Sequence, residues 1–179
     1  MDTGVIAKRY ARAIFQYAAG RGEETRLREE MKNLSEQFTQ VSVLRKVLED
    51  PTVPADEKIK TLVIAAGQTV SDTCRRTIEL VVDNGRGRYM QSIALMYDKV
   101  YRKEKNITII RLTTVEPASS ETKKALVDLI VDSEEETVDF VAKTDTSIIG
   151  GFVLAVEDSR LDASVKSQLS RLKLELMQN

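Results

Sequence analysis

The sequence predicts an α+β protein: a six-helix N-terminal bundle over residues 1–105, followed by a small α/β C-terminal domain over residues 106–179. Apolar side chains recur at helical spacing through the first hundred residues. At Ile107 that spacing gives way to a β-branched run, ITIIRLTTV, and the segments TVDFVAKT and FVLAV that follow read as further strands set among amphipathic stretches. With 179 residues, 42% hydrophobic and 31% charged, the chain has enough apolar material for real cores.

In the first helix, from Val5 to Ala19, Ala7, Tyr10, Ala11, Ile14, Phe15 and Ala18 form the apolar face, and Gly20 and Gly22 stop it. Leu27, Met31, Leu34 and Phe38 mark a second helix. Val43, Leu44, Val47 and Leu48 mark a short third, which Ser42 can cap and Pro51 ends. Beyond Pro54, Asp56 and Glu57 suit the positive first turn of a fourth helix that buries Ile59, Leu62, Val63 and Ala66 before Gly67. A fifth runs from about Asp72 to Asp83 through Cys74, Ile78, Val81 and Val82, with Asn84 and Gly85 as a left-handed cap. Tyr89, Ile93, Met96, Val100 and Tyr101 give a sixth, and six short helices of this kind describe a compact bundle.

After the strand at Ile107, Pro117, Ser119 and Ser120 supply a break and an N-cap for a helix bearing Leu126, Leu129 and Ile130. In TVDFVAKT, Val138, Phe140 and Ala142 alternate with Asp139, Val141 and Lys143. Gly150 and Gly151 read as a turn, so FVLAV is expected to pair with the strand before it. Asp162 can cap a last helix whose Val165, Leu169, Leu172 and Leu176 form one stripe, expected to pack on the sheet.

Composition excludes several function classes. The longest stretch without a strongly polar side chain, Ile148 to Val156, is far short of the ~20 residues of a membrane span, and MDTGVIAKRYAR has no secretory pattern. Residence in the cytoplasm is the expectation, and the single Cys74, which cannot form an internal disulfide, agrees with a reducing compartment. The chain has no histidine, which removes Ser-His-Asp and Cys-His systems and any Cys/His zinc site. No GxxxxGK[ST] or GxGxxG occurs, and Asn84-Gly85-Arg86-Gly87 follows a helix where a phosphate loop would open one. Asp158 and Asp162, with Glu157, are the only carboxylates that suggest acid–base or hard-cation chemistry; a strand end and a helix cap explain them. Glu134 to Glu136 reads as a solvated loop. No catalytic residue, cofactor or metal is expected.

Three stretches carry a resemblance. AKRYARAIFQYA, through Tyr10, Ala11, Ala13 and Phe15, and LVVDNGRG, through Asn84, Gly85 and Arg86, resemble the δ subunit family of bacterial F-type ATP synthases, related to the mitochondrial oligomycin-sensitivity-conferring protein. The more specific match is C-terminal. DFVAKTDTSIIGGFVLAVEDSRLDASVKSQLSRL resembles the family signature at Asp145, Ile148, Gly150, Gly151, Leu161, Asp162, Ser164, Val165 and Leu169, departing from it at Ala155, where the family usually has a charged or polar residue.

The resemblance implies a non-catalytic stator on the cytoplasmic face of the bacterial inner membrane, associated with the membrane only through the complex. Its helical domain would hold the N-terminal helix of an α subunit on the catalytic head, and its C-terminal domain the end of the peripheral-stalk b subunits. The groove for the α helix would lie between the first and fifth helices, with Tyr10, Ala13 and Ile14 on one and Ile78, Leu80 and Val81 on the other.

The charge distribution weighs against the main rival, an RNA-binding helical factor of the antitermination type. Residues 1–106 carry 19 basic and 15 acidic side chains, interleaved, and residues 107–179 carry 8 and 13. Nucleic-acid binding needs a clustered basic face, so no nucleic-acid partner is expected.

Overall fold

The computed structural model describes residues 3–130, 137–157 and 159–178; Asp158 and the Glu134–Glu136 triplet lie outside the described residues. The chain divides into two compact units, Met1–Arg102 and Lys103–Asn179.

The first unit is helical: α1 (Thr3–Ala19), α2 (Glu24–Gln40), α3 (Val43–Glu49), α4 (Ala55–Ala66), α5 (Asp72–Asp83) and α6 (Met90–Glu104), the last entered through a 3-10 turn at Gly87–Tyr89 and running just past the unit's end. Its core is built from the expected faces: Leu27, Leu34, Leu62, Ile78 and Ile93 are fully buried. Ser71 caps α5, its hydroxyl accepting the Cys74 N–H at 3.1 Å. Gly85, at φ +67°, closes the other end: its N–H reaches the Val82 carbonyl at 2.8 Å and the Arg86 N–H the Val81 carbonyl at 2.9 Å.

Two readings change in this unit. Ser42 does not cap α3, because its own backbone is already helical (φ −60°, ψ −23°), and the Leu44 N–H bonds to the Val41 carbonyl instead. The buried face of α6 is Met90, Ile93, Ala94, Tyr97 and Tyr101, leaving Met96 and Val100 half-exposed. Tyr97 turns the helix: its ring lies 6.2 Å from Phe15, and its hydroxyl donates to the Glu24 carbonyl at 3.1 Å, so a large aromatic is buried without stranding its polar end.

The second unit contains β1 (Ile107–Thr114), α7 (Ser120–Ile130), β2 (Thr137–Thr144), a 3-10 turn (Thr146–Ile148), β3 (Phe152–Val156), β4 (Ser159–Asp162) and α8 (Val165–Gln178). The sheet order is β2-β1-β3-β4, with β1 parallel to β2 and antiparallel to β3, and β3 antiparallel to β4. The expected pairing of FVLAV with TVDFVAKT therefore does not form. β1, whose Ile110 and Leu112 are buried, takes the centre and pairs along both edges, Leu112 lying opposite Ala142 on one side and Leu154 on the other. As an edge strand β2 keeps Val138 and Phe140 half-buried and leaves Ala142 exposed.

Gly150 and Gly151 seat the root of α8. The Gly150 carbonyl accepts the Val165 N–H at 3.0 Å, and a Cβ on Gly151 (φ +75°) would lie 2.2 Å from the Ala163 carbonyl oxygen. The cap of α8 is Ser164, whose hydroxyl accepts the Ser167 N–H at 3.3 Å. Asp162 acts one step back: its carboxylate accepts the Ser164 N–H at 3.1 Å and the hydroxyls of Ser164 and Ser167 at 2.7 and 3.0 Å.

Beyond that root α8 does not pack on the sheet as expected. Leu169, Leu172 and Leu176 are 52, 54 and 79% exposed, because the helix is held chiefly at the Thr146–Ile148 turn and not against the strands. On α7 the expected Leu129 is exposed, and Leu126, Val127 and Ile130 supply the half-buried side.

Candidate docking groove

On the surface of the helical unit, α1 and α5 run side by side in opposite directions, with Tyr10 against Arg86 just past the end of α5 and Tyr17 beside Arg76 near its start. Between them lies an open groove of ≈ 510 Å³. Ile14 and Thr77, both 3% exposed, form its floor. Tyr10, Ala13, Tyr17 and Leu80 form its walls, and Arg9, Arg76, Asn84 and Arg86 its rim. The Thr77 hydroxyl is turned away from the groove's needs, donating to the Thr73 carbonyl at 2.8 Å. What remains to face solvent is largely apolar: Leu80 is 50% and Tyr17 38% exposed. A concave apolar surface of this kind on a folded unit is a candidate binding site.

Two of its walls are fixed by polar contacts. The Arg86 guanidinium donates to the Tyr10 hydroxyl at 3.0 Å and lies 5.3 Å from the ring centroid, which holds the tyrosine upright. Arg86 reaches it because the left-handed Gly85 turns the chain back over the end of α5. At the opposite end Arg76 pairs with Asp72 at 3.0 Å; the neighbouring Tyr17 hydroxyl and then Asp72 raise its pKa further.

Of the six residues assigned to the groove from sequence, Tyr10, Ala13, Ile14 and Leu80 line it. Ile78 and Val81 do not: both are fully buried in the core, since on α5 the line through Leu80 faces out and the next positions turn inward. The sequence reading missed Tyr17, seven residues beyond Tyr10 and hence on the same face, and Arg76 and Asn84, which flank Leu80 at four-residue spacing.

The described residues supply little for chemistry. Cys74 is buried in the core, and desolvation, then the nearby Glu30 carboxylate, push its thiol pKa up, the opposite of an activated nucleophile. Among the described residues no group of acidic or cysteine side chains is arranged to hold a metal ion, and no helix is long and apolar enough to cross a membrane.

A chain of two units, one presenting an apolar groove and the other an uncovered apolar helix, belongs to the class of connector subunits that work through their surfaces. Residues 6–176 match the model of the family described as ATP synthase delta (OSCP) subunit. The chain is 40% identical to the ATP synthase subunit delta of Azobacteroides pseudotrichonymphae, over 98% of this chain and 100% of that one. It is 38% identical to that of Phocaeicola vulgatus, over 97% and 94%. A chain from the mitochondrial ATP synthase hexamer of Toxoplasma gondii shares its fold, with TM-score 0.66 and 22% identity over 96% of this chain and 97% of that one. This chain belongs to the ATP synthase delta (OSCP) subunit family, a non-catalytic component of the F-type ATP synthase. The RNA-binding reading has no support in these relatives.

Proposed function

We propose that the groove between α1 and α5 holds the N-terminal helix of an ATP synthase α subunit. Residues 1–105 would thereby sit on the catalytic head, while residues 106–179 hold the end of the peripheral-stalk b subunits. The observation that carries this reading is the groove itself, an apolar trough with an exposed Leu80 wall, matched to the apolar stripe of an amphipathic helix. Support for the second interface comes from α8, whose Leu169, Leu172 and Leu176 stand uncovered. On this reading the chain works on the cytoplasmic face of a bacterial inner membrane and reaches it only through its partners.

The mechanism needs no reactive group. Torque from the rotor would turn the catalytic hexamer as a body unless a rigid tie linked that hexamer to the membrane sector. Two interfaces on one chain make such a tie, and their combined free energy sets the load it withstands.

The test is to titrate the full chain with a synthetic peptide spanning the first ~20 residues of its own α subunit, a helix of about 30 Å, and to repeat this with Leu80→Asp and Ala13→Asp. Saturable binding lost in both folded variants is expected. Folded variants that bind normally would remove the groove from the mechanism.

A further inference from the structure

The charges around the groove are unevenly distributed, and this bears on what its occupant must look like. α1 carries Lys8, Arg9 and Arg12 and no acidic residue. α5 carries Asp72, Glu79 and Asp83 along one line, where Arg76 is already paired with Asp72 at 3.0 Å. The one cation of α5 that lines the groove, Arg76, is therefore answered within the helix. The Tyr10 end differs. There Arg9 and Arg86 both line the groove, Arg86 is engaged by the neutral Tyr10 hydroxyl at 3.0 Å, and among the described residues no carboxylate bonds to either. No acidic side chain is among the residues lining the groove.

We infer that Arg9 and Arg86 are an acid-reading end of the groove. The occupant is an amphipathic helix that carries carboxylates beside its apolar stripe at the end lying over Tyr10, and this fixes the direction in which the helix lies. The inference rests on the groove being a helix-docking site and adds the chemistry and polarity of the helix it takes. A guanidinium fork accepts a carboxylate in two-point geometry. Because Arg86 is positioned by a neutral hydroxyl, it can turn to a carboxylate without breaking an ion pair. Both groups sit at a rim, so the gain is modest for each pair, sensitive to salt, and greater for specificity and association rate than for total affinity.

The experiment uses the full chain and three synthetic peptides of about 18 residues with one common Leu/Ile/Ala stripe. One has glutamates flanking the stripe in its first turn, one in its last turn, and one glutamines at both places. Affinities are measured at low and high ionic strength. One of the two acidic peptides is expected to bind roughly fivefold tighter than the neutral peptide at low salt, with the advantage disappearing at high salt and in both Arg9→Gln and Arg86→Gln. Arg12→Gln, outside the groove on the same helix, should keep it. Equal binding of all three peptides would overturn the acid-reading end while leaving the groove standing. An advantage that survives Arg9→Gln and Arg86→Gln would also overturn it, and failure of every peptide to bind would overturn the docking site along with it. Arg9 is exposed and makes no side-chain hydrogen bond or ion pair among the described residues, so its substitution tests the idea even if Arg86→Gln perturbs folding.

Discussion

The carboxylate of Glu30 on α2 holds both ends of Ser71 at once, accepting its backbone N–H on one oxygen and its hydroxyl on the other, each at 2.6 Å. Ser71 is in turn the cap of α5. A second carboxylate from the α2 end, Glu23, accepts the Thr73 hydroxyl. The start of a groove-forming helix is thus fixed by acids from its neighbour. Glu30→Ala would strand buried donors and should cost about 3 kcal/mol, with Glu30→Gln milder at about 1 kcal/mol. Thermal unfolding of the two variants checks both the size and the order; equal midpoints for wild type and Glu30→Ala would show that water replaces the carboxylate at no cost.

Core and groove positions on α5 should separate cleanly. Ile78→Ala, at a fully buried site, should destabilise the helical unit by about 2–4 kcal/mol. Leu80→Asp should leave its midpoint nearly unchanged and abolish peptide binding. Parallel melting curves and titrations of the two variants decide the matter.

Tyr10→Ala removes a half-buried aromatic wall together with the partner of Arg86. Affinity for the α-subunit peptide should fall by about 2 kcal/mol, roughly thirtyfold, with folding affected much less. A drop of less than about threefold in calorimetric titration would mean that Tyr10 is not an anchor.

Gly151→Ala should damage the second unit. An added Cβ would press on the Ala163 carbonyl, and alanine is strained at φ +75°, so a loss of about 2 kcal/mol or more is expected. Amide spectra should show the change around Ala163–Val165 and leave α1–α5 as they were.

Asp162 supplies a pH dependence of known sign. The Ser164 hydroxyl, then the Ser164 backbone N–H, favour its ionised form and lower its pKa from 3.8 to about 2. The fold prefers the carboxylate, so its contribution is complete above the unfolded value of 3.8 and is lost as pH falls through about 2. Carboxyl titration by NMR should give a midpoint near 2 in the wild type, moving up towards 3.8 in Ser164→Ala. An unmoved midpoint in that variant would show that the cap hydrogen bonds are not its cause.

Local signals were legible in the sequence, and long-range choices were not. The helical period and the Asn84-Gly85 cap located α5 at Asp72–Asp83. Strand order could not be read in the same way, because Val153 and Phe140 carry equally good strand patterns and only the whole sheet determines that β1 stands between them. β4, four residues long, is too short to show a period. In the groove, Tyr10, Ala13, Ile14 and Leu80 were accessible from helical geometry. Arg86 was not, since its place over Tyr10 depends on a turn followed by a contact 76 residues back along the chain. Val81 was misplaced because an apolar residue next to an exposed leucine looks like more of the same surface, whereas a step of ~100° carries it into the core.

The uncovered leucines of α8 also bear on how many copies of the chain persist. A copy synthesised beyond the number of available partners enters solution with Leu169, Leu172 and Leu176 bare, and such a stripe promotes self-association and invites proteolysis. On the reading that α8 takes the peripheral stalk, docking would cover the same residues, and assembled copies would be protected relative to surplus ones.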